Sequence, residues 1–486
     1  MSSSIAQKAV RGASWSIVTS IGSRALGLVG TLAITHFLMP DVIGEVSDAF
    51  VLVTTVGTLK TWGFGQYLIA KPNEGADVTW HVTVYHVGLG IIGLAALLLF
   101  GTSFEHFLHA PNLGRYLPGL VFVVFMDRLG AVPERLLTRT MRFRTIGLSR
   151  SGGELAYSAV SLGLAMVGVG GMSLVWGNIA RSVIRSGALM AAVEAKDWLK
   201  PHKLSRETTR TLLKFGLPFA VSANAAFASR RWDNLIVSAL FGPAVLGSYN
   251  MAYNLADIPA VQVGEQIGDV LLPSFAHLKP EHRVEALVRA TGLLGLVVFP
   301  LAVGLGAVAP TAIAALLPRA WGDVAPMLVI LSALSVTRPV GWTVSAFLVT
   351  YERTRALMVL GLAQVVILLG SIWVLGKMGG PLWACTGVGV AFGLYAIACV
   401  LAVRQDGVSA RDLFVRCLRP LLACIPLALA VIAVRAGMGP LGIRAGLRLI
   451  IEIAVGGVAY VGGAFLFARD QSNDFVRLLK KAAKRG

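Results

Sequence analysis

Of 486 residues, 56% are hydrophobic and only 14% charged, and the mean hydropathy is +0.73. That balance excludes a single soluble enzyme, because apolar stretches of about 18 residues or more recur along the chain. The +18 net charge would suit a nucleic-acid partner, but its lysines and arginines lie mostly in short loops between apolar segments, where the positive-inside rule puts them, and nucleic acid is excluded as well.

Taken in order, the chain predicts an all-α polytopic membrane protein of about fourteen transmembrane helices. MSSSIAQKAVRGASWS leads into a first span that lacks a small-residue cleavage site and reads as retained rather than as a signal peptide. The first six spans fall at about 14–37, 43–67, 78–101, 117–137, 147–168 and 171–193, so that 1–193 forms an N-lobe. A basic cytoplasmic linker follows at 194–213. Six more spans at about 214–241, 244–272, 290–309, 323–349, 356–376 and 382–403 make a C-lobe over 214–403. Two final spans, about 418–436 and 445–468, lie within 404–468, and 469–486 is a basic cytoplasmic tail.

The loops orient this arrangement. Odd-to-even connections such as MPDVI, GVGGM and FGPAVL are nearly free of Lys and Arg, whereas TRTMRFR, HLKPEHR and YERTR on the other side are basic. Of 43 lysines and arginines, 29 fall on the basic side, 6 on the opposite side and 8 inside spans. Such a bias predicts an even number of spans with both termini in the cytoplasm.

The chain also repeats itself. FLMPDVIGEVSDAF at 37–50 aligns with LFGPAVLGSYNMAY at 240–253, placing Pro40, Val42 and Gly44 on Pro243, Val245 and Gly247. RFR at 142–144 matches RTR at 353–355. Six spans map onto six, which predicts two pseudo-symmetric lobes of the same orientation facing a cleft, plus two extra C-terminal helices outside the symmetry.

A charge in the middle of a span costs about 2.5–3.5 kcal/mol on insertion scales, so it faces a protein interior or a wet cavity. The basic residues inside spans are Arg24, Lys60, Arg128, Arg181, Arg185, Arg230, Arg231 and Arg338, with Lys60 and Arg185 nearer the cytoplasmic ends. Deep acids are fewer: Asp127, Glu154, Asp233, Asp257, Glu265 and Glu452, with Asp48 and Asp269 nearer span ends. A surplus of arginine predicts a cationic cavity for an anion, since the guanidinium fork binds phosphate oxygens bidentately. The opposing reading is internal pairing, such as Asp233 with Arg230 one turn away. Asp127, Asp233 and Asp257 are candidates either for charge pairing or for coupling to a proton or sodium ion. His81, His86, His106 and His109 share no metal-ligand spacing, and the four cysteines show none either, so neither a metal nor a cofactor is implied. Trp62, Trp80, Trp198, Trp321 and Trp383 read as interfacial anchors.

The pattern R…FLMPDVIGEVSDAF…WGFGQYLIAK at 24–71, with LLKFGLPFA, LFGPAVLGSYNMAYNLADIP and LPRAWGDVAPMLVILSALSVTRPVG, resembles the polysaccharide-transporter family of the multidrug/oligosaccharidyl-lipid/polysaccharide (MOP) exporter superfamily, which includes the Wzx-type flippases. The resemblance implies a non-enzymatic flippase in the bacterial inner membrane. It would move polyprenyl-diphosphate-linked oligosaccharides of O-antigen, capsule or exopolysaccharide by alternating access. It implies a diphosphate held by the cationic cavity, Arg24 as the arginine of the first helix, and a lipid-tail groove on the last two helices. Membrane lipids, a polysaccharide polymerase and a chain-length regulator are the implied partners. The rivals are a multidrug exporter of the same superfamily, which needs an acidic cavity, and a membrane-embedded polymerase or ligase, which needs a larger outer loop than the short ones here.

Overall fold

The computed structural model describes residues 22, 27–59, 62–71, 75–276, 278–439 and 442–483; the side chains at 218, 258–270, 272–274, 276, 354, 478–479 and 481–483 also lie outside the description. After a helical stretch at 27–34, the first half contains α1 (Pro40–Leu59), α2 (Phe64–Ala70), α3 (Ala76–Phe100), α4 (Phe104–Leu108), α5 (Leu113–Arg139), α6 (Phe143–Met166), α7 (Met172–Ala191) and α8 (Arg206–Phe241). The rest comprises α9 (Pro243–Ala276), α10 (Pro280–Leu316), α11 (Val324–Leu334), α12 (Arg338–Thr350), α13 (Thr354–Gly379), α14 (Pro381–Arg404), α15 (Ala410–Met438), α16 (Ala445–Phe467) and α17 (Arg469–Ala483). No strand occurs among the described residues. In lipid a helix satisfies its own backbone groups, which is why an apolar chain of this length resolves into helices alone.

Nine of the described helical segments are long and apolar enough to cross a membrane, and the bent pair Arg206–Leu217 and Phe219–Phe241 makes a tenth. Every expected span from the second to the fourteenth coincides with helix, while the first falls largely on residues outside the description. Some ends differ. The second span is interrupted before 67, since Gly63 adopts a left-handed φ of 67° and the separate short α2 starts after it. The seventh begins at Arg206 rather than 214, because the Ser205 side chain accepts from the amides of Glu207 and Thr208 and caps the helix inside the expected linker. Large apolar side chains such as Leu99, Val366, Val458 and Leu466 stand exposed, as a lipid-facing surface requires.

The chain divides into two compact units, 1–247 and 248–486. In the first unit a core of Ile34, Ala49, Val53, Leu108, Leu113 and Leu120 joins α1, α4 and α5. The buried His81 on α3 donates from Nδ1 to the Asp77 carbonyl at 2.7 Å and accepts the Ser205 amide at Nε2, also at 2.7 Å. That contact fixes the start of α8 against α3 and gives this histidine a structural role. In the second unit Phe275, Leu287, Val344, Phe347 and Val403 form one core, and Leu296, Ala423 and Ala464 seat α15 and α16 on α10. Trp198, packed with Phe64, Tyr67 and Leu212, and Trp321 are buried in protein, at 4% and 0% exposure, which corrects their reading as interfacial anchors; Trp383 remains exposed.

The internal repeat reappears as chemistry. Met141 and Glu352, 211 residues apart, are both non-glycine residues with φ near 57°. Each precedes an arginine that serves the C-terminal end of a helix: Arg142 donates to the Ala192 carbonyl beyond α7 at 2.8 Å, and Arg353 to the Ala402 carbonyl of α14 at 3.1 Å. Ser161 packs on Gly177 between α6 and α7, and Ser371 donates to the Gly387 carbonyl between α13 and α14 at 2.8 Å. Small residues let these backbones approach where no hydrophobic drive exists. The proline turns also meet reciprocally: a Cβ on Gly44 would collide with the Pro243 carbonyl, and one on Gly247 with the Pro40 carbonyl.

Candidate functional site

Arg24 and Lys60 lie outside the described residues. Of the other six deep bases, Arg128, Arg181, Arg185 and Arg338 are held by partners that can be named. Arg128 on α5 is 4% exposed and donates to two main-chain carbonyls, Gly57 on α1 and His86 on α3, the latter at 2.6 Å. Gly90 leaves room for its side chain, since a Cβ there would strike the guanidinium. Two α-helices thus each offer a carbonyl to one arginine, and its charge is held by dipoles rather than by a carboxylate.

Arg181 on α7 lies 3.7 Å from Glu154 on α6, donates to Asn178 at 2.5 Å and stacks 5.2 Å over the Tyr157 ring. One turn on, Arg185 meets Glu134 of α5 at 2.9 Å, and Arg150 approaches the same carboxylate at 3.8 Å. Asp127 accepts the Ser182 hydroxyl at 2.7 Å. Internal pairing therefore accounts for Arg181 and Arg185, with a cluster of charges joining α5, α6 and α7.

Arg338 stands 210 residues after Arg128, at the equivalent place in the repeat. Pro339 has no amide to donate, and the helix breaks at the 3₁₀ turn Ser335–Thr337, leaving Arg338 at the first position of α12. Its guanidinium pairs with Asp257 of α9 at 2.6 Å and lies 4.6 Å from the Phe392 ring and 5.8 Å from the Tyr253 ring. The cavity beside it, lined by Tyr253, Leu334, Ser335 and Phe392, has a volume of about 10 Å³, room for about one water. Asp257 is thus a charge partner of Arg338 in this conformation.

Arg230 and Arg231 are both exposed on α8, and Asp233 is buried at 1%. Arg231 has no hydrogen bond or ion pair among the described residues. It lies ten residues before Phe241 at the helix end, a rise of ~15 Å, about half the ~30 Å hydrocarbon thickness. An exposed arginine at that depth belongs to a surface that water or an anion reaches, because lipid would oppose it by several kcal/mol.

The sequence reading missed one charge cluster. Arg435, counted among the loop residues, lies inside α15 and meets Glu452 of α16 at 3.3 Å, Thr311 of α10 at 3.2 Å and the Ala307 carbonyl. Thr311 also donates to Glu452 at 2.7 Å, and Glu452 is fully buried. The sequence marks Glu452 as a deep acid; only the fold shows that its partner comes from the preceding helix rather than from Arg448 in its own.

Long apolar helices, charges satisfied in pairs inside them and exposed apolar side chains around them define a multi-pass α-helical membrane protein. Residues 33–326, more than half of the chain, match the family described as polysaccharide biosynthesis protein, and the chain belongs to that family. It is similar to the succinoglycan biosynthesis transport protein ExoT of Rhizobium meliloti (strain 1021), 23% identical over 464 residues that cover 94% of this chain and 92% of that one. It is also similar to the lipopolysaccharide biosynthesis protein WzxC of Escherichia coli (strain K12), 22% identical over 390 residues covering 79% and 78%. In fold it is similar to the lipid II flippase MurJ in its inward closed conformation, with a TM-score of 0.75 and 14% identity over 93% of this chain and 98% of that chain. The family is the one that the proline-turn motifs resemble.

Proposed function

We propose that the protein is a flippase for polyprenyl-diphosphate-linked oligosaccharide units, carrying them from the cytoplasmic to the outer leaflet of a bacterial inner membrane by alternating access. The observation that carries this reading is Arg231, an exposed arginine at mid-membrane depth with no partner among the described residues, next to the exposed Arg230. A diphosphate supplies the anion that such a surface accommodates, and planar guanidinium groups take its oxygens in pairs. Arg24 and Lys60 complete the proposed cationic set, while Arg128, Arg181 and Arg185 stay with their partners within the same unit. The names of ExoT and of the lipid II flippase MurJ support the cargo class. Membership in a polysaccharide biosynthesis family supports a pathway in which a polymerase consumes the translocated unit. Binding must stay moderate, since a cargo held too tightly would not leave.

The test is the lipid-linked glycan content of a deletion strain carrying the wild-type gene, Arg231→Ala, Arg24→Ala or no plasmid. Accumulated polyprenyl-diphosphate oligosaccharide and loss of a surface polymer, restored by wild type alone, is the expected result. Wild-type glycan levels in the deletion strain would count against the flippase; a normal polymer with Arg231→Ala would remove that residue from the cargo path.

A further inference from the structure

One buried carboxylate stands apart from the pattern of paired charges. Asp48 lies on α1 eight residues after Pro40, about 12 Å along the helix, and is 0% exposed. Its Oδ2 is 2.5 Å from the Ser238 hydroxyl of α8, and that hydroxyl lies 3.2 Å from the carbonyl of Leu108, the last residue of α4. Its Oδ1 is buried with no hydrogen-bond partner, and neither oxygen has an ion-pair partner among the described residues. The contrast with other deep acids is direct: Glu452 has Arg435, Asp257 has Arg338, Glu154 has Arg181 and Glu134 has Arg185.

The surrounding groups offer no compensation. On its own helix the nearest charged side chain is Glu45, one turn earlier and 8% exposed. Both Glu45 oxygens accept from the Asn112 amide, at 3.0 and 3.2 Å, an arrangement that suits an ionised carboxylate and adds negative charge beside Asp48. From α5 come Tyr116, with only a phenol, and the exposed Arg115; α4 offers the Leu108 carbonyl, while its Glu105 accepts the Gly114 amide at 2.8 Å and its His106, like His109 after it, is exposed; from α8 the next charged group is the acidic Asp233. An ionised Asp48 would therefore be a fully buried anion with a single hydrogen bond, an arrangement that proteins avoid by keeping the proton.

Counting protons leads to the same place. The Ser238 hydroxyl has one hydrogen and two oxygens in reach. With Asp48 ionised it donates to Oδ2 and leaves the Leu108 carbonyl unserved by it. With Asp48 neutral, the acid O–H donates to Ser238, Ser238 donates to Leu108, and the unpartnered Oδ1 is an uncharged carbonyl oxygen. Every hydrogen in the chain is then used, and the orphan atom is the one whose isolation costs least.

We propose that Asp48 is a proton-binding site, holding its proton while α1, α4 and α8 are packed as in this conformation and releasing it when Ser238 withdraws. On release the acid O–H bond breaks, the proton passes to entering water, and the carboxylate becomes hydrated. A site of this kind links proton binding to the packing of α8 on α1. Its use in driving cargo rests on the flippase reading; the residence of the proton on Asp48 does not.

The experiment is infrared spectroscopy of the purified full-length protein in lipid at neutral pH, reading the carbonyl stretch of protonated carboxyl groups and its shift on exchange into deuterated water. We expect the wild type to show an acid band that is lost in Asp48→Asn and kept in Glu45→Gln. Ser238→Ala, which removes the acceptor of the proton, should shift that band without abolishing it. Identical acid bands in the wild type and Asp48→Asn overturn the proposal, and if Asp48→Asn does not fold, an unshifted band in Ser238→Ala does so instead. The measurement needs no cargo, so its failure is distinct from failure of the transport assay.

Discussion

Arg435 and Glu452 show what a buried charge does in this protein. Glu452 is fully buried and receives Arg435 and Thr311 together, tying α15 and α16 to α10. Removing the arginine alone leaves an uncompensated anion, and Arg435→Met is expected to lower stability by about 3–5 kcal/mol. Replacing both partners, Arg435→Met with Glu452→Leu, should recover more than half of that loss; unfolding of the variants in detergent checks both. At this scale the sequence was legible in part. It placed eight bases at depth, and four of them, Arg128, Arg181, Arg185 and Arg338, are seen held by partners. It did not disclose the partners, because an arginine reaches across helices that the sequence does not order. Asp48 escaped for a related reason: it was read by its distance from a span end, and its hydrogen-bond partner is Ser238, 190 residues later.

Among the helices, the repeat is carried by a few contacts made twice. Arg142 and Arg353 each serve a carbonyl at the end of the helix they face, and Arg353 additionally pairs with Asp406 at 2.7 Å. Arg142→Ala should cost about 1 kcal/mol and speed amide exchange at the end of α7, and Arg353→Ala should cost more at the end of α14. Equal losses at the two sites would contradict the added ion pair. A reciprocal prediction applies to the proline turns: Gly44→Ala and Gly247→Ala should each destabilise by about 1–3 kcal/mol, since the atom met is a main-chain carbonyl that cannot turn aside. Thermal unfolding of the single variants measures it. The hydrophobic pattern located these helices well, while their ends were less legible: Gly63 and the Ser205 cap are local signals that an apolar window averages away.

For the molecule as a whole, the charge bias of the loops is the feature that sequence supplied and geometry leaves untouched. With 29 of 43 basic residues on one side, reporter fusions after Asp197 and Glu352 should be active as cytoplasmic reporters, and fusions after Gly170 and Gly380 as outer ones. A cytoplasmic signal at Gly170 would overturn the orientation. The reciprocal docking of Pro40 on Gly247 and Pro243 on Gly44 has a consequence in time as well as in space. Its partners are 203 residues apart, and synthesis adds about 5–20 residues per second, so the first turn is in place for about 10–40 seconds before the second exists. During that interval the Gly44 face of α1 is a bare notch waiting for its complement. A nascent chain stopped short of Pro243 should be cut by protease near Gly44, and one extended beyond Gly247 should be protected.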